Sequence, residues 1–168
     1  MTVIKQEDFI QSICDAFQFI SYYHPKDYIQ ALYKAYQKEE NPAAKDAMAQ
    51  ILVNSRMCAE GHRPICQDTG IATVFLKVGM DVQWDAEMSV QEMVNEGTYP
   101  DNKLRASVLA DPAGKRQNTK DNTPAVVHME IVKGDKVEVT CAAKGGGSEN
   151  KTKVAMLNPS DNIVDWVL

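Results

Sequence analysis

The spacing of apolar residues changes once along this chain, between Gly61 and Pro64, and that change limits the folds open to it. Upstream, Phe9, Ile10, Ile13, Cys14, Phe17 and Ile20 recur at helical spacing. So do Tyr28, Ile29, Leu32, Tyr33 and Tyr36, after a break at His24-Pro25. Asn41-Pro42 reads as an N-cap followed by proline at the first helical position. A third helix follows, with Ala44, Ala47, Met48, Ile51, Leu52 and Ser55 on one stripe, and Gly61 ends it. Three short helices packed on one another are expected.

Downstream the pattern is strand-like. Residues 71–78 are β-branched and aromatic between Gly70 and Gly79. Ser89 and Glu92 form a capping-box pattern that opens a short helix stopping near Gly97. Asn102 is placed as the cap of another, through Leu104, Val108 and Leu109. Residues 110–124 read as a loop, long enough to suggest a functional one. Strands are expected at 125–132 and 136–143, the second alternating Val137, Val139 and Cys141 with Glu138 and Thr140. Gly134-Asp135 between them predicts an antiparallel hairpin. The class is therefore α+β: a helical bundle over residues 1–62, then a mixed region over 63–168 with a small antiparallel sheet.

The 168 residues fit one ordinary domain, perhaps with a helical extension. The net charge is −5 and the lysines and arginines are scattered, which argues against a nucleic-acid partner. No apolar run is long enough for a transmembrane helix, and the acidic N-terminus lacks the apolar core of a signal peptide. Neither a membrane partner nor a disulfide scaffold is expected, since Cys14, Cys58, Cys66 and Cys141 lie far apart. A reduced, cytoplasmic protein follows.

Three segments carry candidate chemistry. Cys66 stands beside Gln67, Asp68 and Thr69 at the mouth of the first strand, where a thiolate would be a soft metal ligand. The plain alternative is a buried structural thiol. Gly145-Gly146-Gly147 is either a turn or a cradle of backbone N–H groups for an anion. Ser148 would then cap a following helix through Val154 and Leu157. The P-loop spacing is absent, so a carboxylate suits the loop better than a nucleotide phosphate. Arg105 is either a solvated surface residue or a forked donor to a carboxylate. His24 and His62 sit in linkers. His128 lies mid-strand, a core or cross-strand residue rather than a ligand.

Cys66-Gln67-Asp68-Thr69-Gly70, Leu104-Arg105-Ala106-Ser107, Asp121-Asn122-Thr123-Pro124 and the run from Lys144 to Lys151 occur in this order. Together they resemble the N-terminal domain of class I fumarate hydratases, iron–sulfur enzymes related to L-tartrate dehydratase, over roughly residues 8 to 168. The resemblance implies a hydro-lyase of the tricarboxylic acid cycle, dimeric at full length, interconverting fumarate and L-malate. It implies an open [4Fe-4S] cluster held by three cysteines. Cys66 matches the first cluster ligand. Gln67 and Asp68 match substrate-contacting residues, with Asp68 also a catalytic candidate for proton transfer. Arg105 matches a carboxylate-binding arginine. Gly146, Ser148 and Lys151 match the loop that wraps the substrate.

The resemblance also implies that the other two cluster cysteines lie beyond residue 168, because Cys14, Cys58 and Cys141 do not match them. The chain is therefore expected to be a fragment truncated before the remainder of the enzyme, inactive and without a cluster by itself. Its final residues read as a helix cut in mid-course. L-tartrate dehydratase is the alternative within the class. A non-catalytic binding or assembly domain, or a helical interaction module on residues 7–60, is the alternative outside it. Separation of Cys66 from the glycine loop would end the site reading, convergence on one open face would count against the binding or assembly domain, and the helical module is compatible with either.

Overall fold

The first helix is the structural hub of the chain. In a computed structural model that describes residues 2–66, 70–98, 109–110, 114–145 and 153–167, α1 (Gln6–Tyr22) buries Phe9, Ile13, Cys14 and Phe17 on the stripe expected of it. Glu7 and Asp8 lie in its first turn, where carboxylates complement the helix dipole. Pro25 has no backbone N–H, so it cannot donate to the carbonyl of Ser21, and the helix stops short of it.

The expected mutual packing of three helices is not what forms. α2 (Lys26–Lys38) packs on α3 (Pro42–Gly61), but α1 packs chiefly on α4 (Val90–Gly97) and on β7 (Val137–Lys144). The reason lies in the side chains. α1 carries large apolar residues that a sheet can cover, whereas α2 buries no residue and α3 buries only Ser55 and Cys58. The predicted cap of α3 is present: Asn41 Oδ1 accepts from the N–H groups of Ala43 (3.0 Å) and Ala44 (3.4 Å). At the other end the left-handed residue is His62, with φ of 48°, one position beyond Gly61.

β2 (Ile71–Gly79) is the middle strand of a three-stranded sheet ordered β6-β2-β7, where β6 is Val126–Val132. It runs parallel to β6, with Thr73 opposite Val126, and antiparallel to β7, with Ile71 opposite Lys144. The α+β class is as expected, but the hairpin is not. β6 and β7 follow one another through residues 133–136, yet β2 lies between them. Its core-facing residues explain the central place. Ala72, Val74, Leu76 and Val78 are all buried, and each of the largest is worth about 1.5–3 kcal/mol of transfer energy. The connecting loop lies against the end of β2, with Gly79 N–H donating to Lys136 O (2.8 Å) and Asp81 N–H to Gly134 O (2.9 Å).

Two short ladders escaped sequence reading. β1 (Thr2–Lys5) pairs in parallel with β3 (Val82–Asp85), and β4 (Leu109–Ala110) pairs with β5 (Gln117–Asn118), which puts Leu109 in a strand where a helix was expected and β5 within the expected loop. Four-residue and two-residue strands are too short to show periodicity. Gln6 Oε1 locks the first ladder by accepting from the N–H groups of Glu87 and Met88, both at 3.0 Å. Phe9 meets Trp84 edge-on at 5.2 Å.

α4 has the predicted capping box, with Ser89 N–H donating to Glu92 Oε2 (2.8 Å) and Glu92 N–H to Ser89 Oγ (3.3 Å). It ends at Gly97, where an added Cβ would lie 2.7 Å from Ile13 Cγ2, so the two helices touch at that point. Residues 153–158 carry no helix, against the expectation of one through Val154 and Leu157, and Val154 is 87% exposed. The final helix, α5, spans only Ile163–Val167. The helix expected at Asn102 lies outside the described residues.

Candidate active site

Three of the four motif segments share one end of the sheet, and the strand register puts them there. Because β2 and β6 are parallel, both begin at this end. β7 is antiparallel to β2, so it finishes there. The segment with Cys66 enters β2, the Asp121-Asn122-Thr123-Pro124 segment enters β6, and the glycine run leaves β7. The approach is close. Gly70, with φ of +75°, has its Cα so near β7 that a Cβ would lie 2.5 Å from the Lys144 carbonyl carbon and 2.8 Å from Gly145 N. No residue other than glycine meets both demands.

Cys66 is exposed, so the alternative of a buried structural thiol is not realised. Two of the other three thiols, Cys14 and Cys58, are buried, and Cys14 Sγ accepts from Gln18 Nε2 at 3.1 Å. Burial pushes the Cys141 thiol up to about 11, so it stays protonated at neutral pH. Only Cys66 among the four has the exposure that a ligand needs. Among the described residues no three His, Cys, Asp or Glu side chains cluster as a metal site.

The segment entering β6 is braced by α4. Asn122 is buried and donates from Nδ2 to Thr98 O at 3.0 Å. Asn95 Oδ1 accepts from Ala125 N–H, and Gln91 Nε2 donates to Ala125 O, both at 3.0 Å. Asp121 accepts from both the N–H (3.1 Å) and the hydroxyl (2.9 Å) of Thr123. The Thr123 backbone bond is the leading cause that holds the Asp121 carboxyl below its ordinary range. Two consecutive side-chain locks therefore fix the turn at the mouth of β6. Neither Asn95 nor Gln91 stands out in the sequence as a residue that would do this. Their spacing on α4 was the only signal.

Gln67, Asp68, Arg105, Gly146, Ser148 and Lys151 lie outside the described residues. What is described are their flanks: Cys66 and Gly70 on one side, Lys144 and Gly145 on the other, with Gly70 packed against the latter pair. His128 is a cross-strand residue, stacked on Phe75 with ring centroids 4.9 Å apart. Two hollows elsewhere have other character. One of about 180 Å³ lies at the opposite end of the sheet around residues 132–136. One of about 420 Å³ is lined by Gln6, Glu7, Asp85 and Glu87, whose charge repels a dianion.

Comparison with known proteins gives a consistent result. The family model for fumarate hydratase (Fumerase) matches residues 10–168. A putative L(+)-tartrate dehydratase subunit alpha of Methanocaldococcus jannaschii is 31% identical over 159 residues, covering 90% of this chain and 55% of that protein. The anaerobic class I fumarate hydratase of Escherichia coli K12 is 41% identical over 107 residues, covering 61% of this chain and 19% of that protein. A putative class I fumarate hydratase of Geobacillus stearothermophilus is 36% identical over 133 residues, covering 76% of this chain and 25% of that protein. The chain thus spans about half the length of the first of these relatives and a quarter or less of the other two.

Proposed function

The chain belongs to the fumarate hydratase (Fumerase) family, and from that membership we propose that it is the N-terminal portion of a hydro-lyase that interconverts fumarate and L-malate. The observation that carries this reading is the convergence at one sheet end of the segments holding Cys66, the Asn122 turn and the start of the glycine run. Catalytic groups concentrate on loops held by rigid strands in this way.

Within that reading Cys66 contributes one thiolate to a [4Fe-4S] cluster, the remaining ligands coming from outside residues 1–168. When bound, an open iron of such a cluster supplies Lewis acidity toward a substrate oxygen. The chain's own residues bind and orient the dicarboxylate. Arg105 pairs in forked fashion with one carboxylate, and Lys151 adds a point charge. Gly146 offers a backbone N–H, and Gln67 and Ser148 offer neutral hydrogen bonds. Asp68 takes part in proton transfer at the substrate carbon or hydroxyl. The isolated chain holds no cluster and turns nothing over. A cytoplasmic homodimer at full length completes the reading.

The test uses the full-length protein, reconstituted anaerobically with iron and sulfide and assayed on fumarate, L-malate and L-tartrate. Turnover of fumarate and L-malate is expected, with Cys66→Ser losing the cluster absorbance. Arg105→Met removes a charge-assisted pair, about 1.5–3 kcal/mol or roughly 10- to 150-fold in substrate affinity. A Cys66→Ser protein that keeps its cluster would end the ligand assignment. One observation favours a second reading, an L-tartrate dehydratase subunit: the relative covering 90% of the chain carries that name. Turnover of tartrate alone would establish it.

A further inference from the structure

Cys66 hangs from a short strap, residues 62–65, and the strap is fastened on both sides. The residue just before the cysteine, Ile65, has both its backbone polar groups engaged by different helices. Its N–H donates to Ser21 O of α1 at 2.9 Å. Its carbonyl accepts from Asn54 Nδ2 of α3 at 3.1 Å. The Ser21 carbonyl is available because its helical partner would be residue 25, which is proline. One position earlier, Pro64 O accepts a longer bond from Cys58 Sγ at 3.5 Å, and Arg63 N–H donates to Cys58 O at 3.1 Å. Tyr23 Oη and His62 Nε2 lie 3.0 Å apart and tie the start of the strap to the end of α1.

The carbonyl held by Asn54 belongs to the peptide unit that joins Ile65 to Cys66. A peptide unit is planar, so fixing its carbonyl direction also fixes the direction of the Cys66 N–H. Only the φ torsion of Cys66 and its χ1 then remain to aim the sulfur. We propose that Asn54 is a positioning residue for the Cys66 thiolate, acting through the Ile65–Cys66 peptide. The proposal rests on the reading of Cys66 as a ligand. Asn54 is exposed, so its bond contributes little to folding. Its role is directional.

Asn54→Asp provides the test, because it keeps the shape and replaces the donor with an acceptor facing the Ile65 carbonyl. In the full-length protein reconstituted with iron and sulfide, wild type, Asn54→Asp, Asn54→Gln and Cys66→Ser are compared. The readouts are thermal midpoint of the apoprotein, rate of iron loss to a chelator, and the electron paramagnetic resonance spectrum of the reduced cluster. The expected result is that Asn54→Asp loses iron about 10- to 100-fold faster, in the range seen when groups that orient ligands are removed. Its spectrum shifts, its apoprotein midpoint stays near that of wild type, and Asn54→Gln, which keeps a donor, recovers part of the retention. If Cys66→Ser loses the cluster while Asn54→Asp retains iron with the wild-type rate and spectrum, the positioning role is overturned and the ligand assignment survives. If Cys66→Ser retains the cluster, both are overturned. Should Asn54→Asp fail to fold, Asn54→Ser under the same readouts decides between the same outcomes.

Discussion

At the scale of single residues, three positions fix the candidate site. Gly70 does so by having no side chain. Gly70→Ala would drive a methyl into the Lys144 carbonyl at a left-handed φ, and either effect alone costs about 1–3 kcal/mol. Urea denaturation should show at least that loss. Asn122 acts through the opposite property, a buried amide with a partner in Thr98 O. Asn122→Ala strands that carbonyl, with an expected destabilisation of about 1–3 kcal/mol by the same measurement. Cys66 differs from the other three thiols in exposure, so iodoacetamide at neutral pH should label it well before Cys14, Cys58 and Cys141. Peptide mass spectrometry after short labelling checks this, and equal labelling of all four would contradict the burial of Cys14 and Cys58 and the half-buried place of Cys141.

At the scale of elements, local signals were reliable and pairing signals were not. The Asn41 cap, the Ser89–Glu92 capping box and the strand at 71–79 were all legible, because each is decided by residues a few positions apart. The hairpin failed because Gly134-Asp135 announces a change of direction and says nothing about which strand lies beside which. That choice went to β2, whose core-facing side is buried along its whole length. The same limit hid β1, whose partner β3 is eighty positions away. Leu76, at the centre of this sheet and 1% exposed, should cost about 2–5 kcal/mol as Leu76→Ala. Of the candidate site, Cys66 and the glycine run were legible from residue type. The means of bringing their flanks Gly70 and Gly145 together, the antiparallel register of β2 and β7, was not, because register pairs residues as far apart in sequence as Ile71 and Lys144.

For the whole molecule, acidification should weaken the fold in two stages. Burial lowers the His24 imidazole below its ordinary value of 6.5, so the unfolded chain takes up a proton that the folded chain refuses. The stabilisation is complete above that value and declines as pH falls through it. His24 Nδ1 lies 3.0 Å from Ser55 Oγ, which joins the α1–α2 link to α3. Glu92 and Asp121 are lowered by hydrogen bonds from Ser89 and Thr123, and their contribution is lost below the ordinary carboxylate range. Urea midpoints measured against pH should fall below about 6.5 and again below about 4.5, with His24→Asn removing only the first decline.

The strand order also sets a timetable for synthesis. β2 is completed long before either neighbour exists, and both its edges need strands that follow it in sequence. With roughly fifty residues still to be added before β6 can pair, and synthesis at about 5–20 residues per second, the nascent strand waits several seconds with both edges bare. During that interval α1, already made, is the one long apolar partner available to shelter its core-facing side. A ribosome pausing between residues 80 and 125 would prolong the most aggregation-prone moment in the life of this chain.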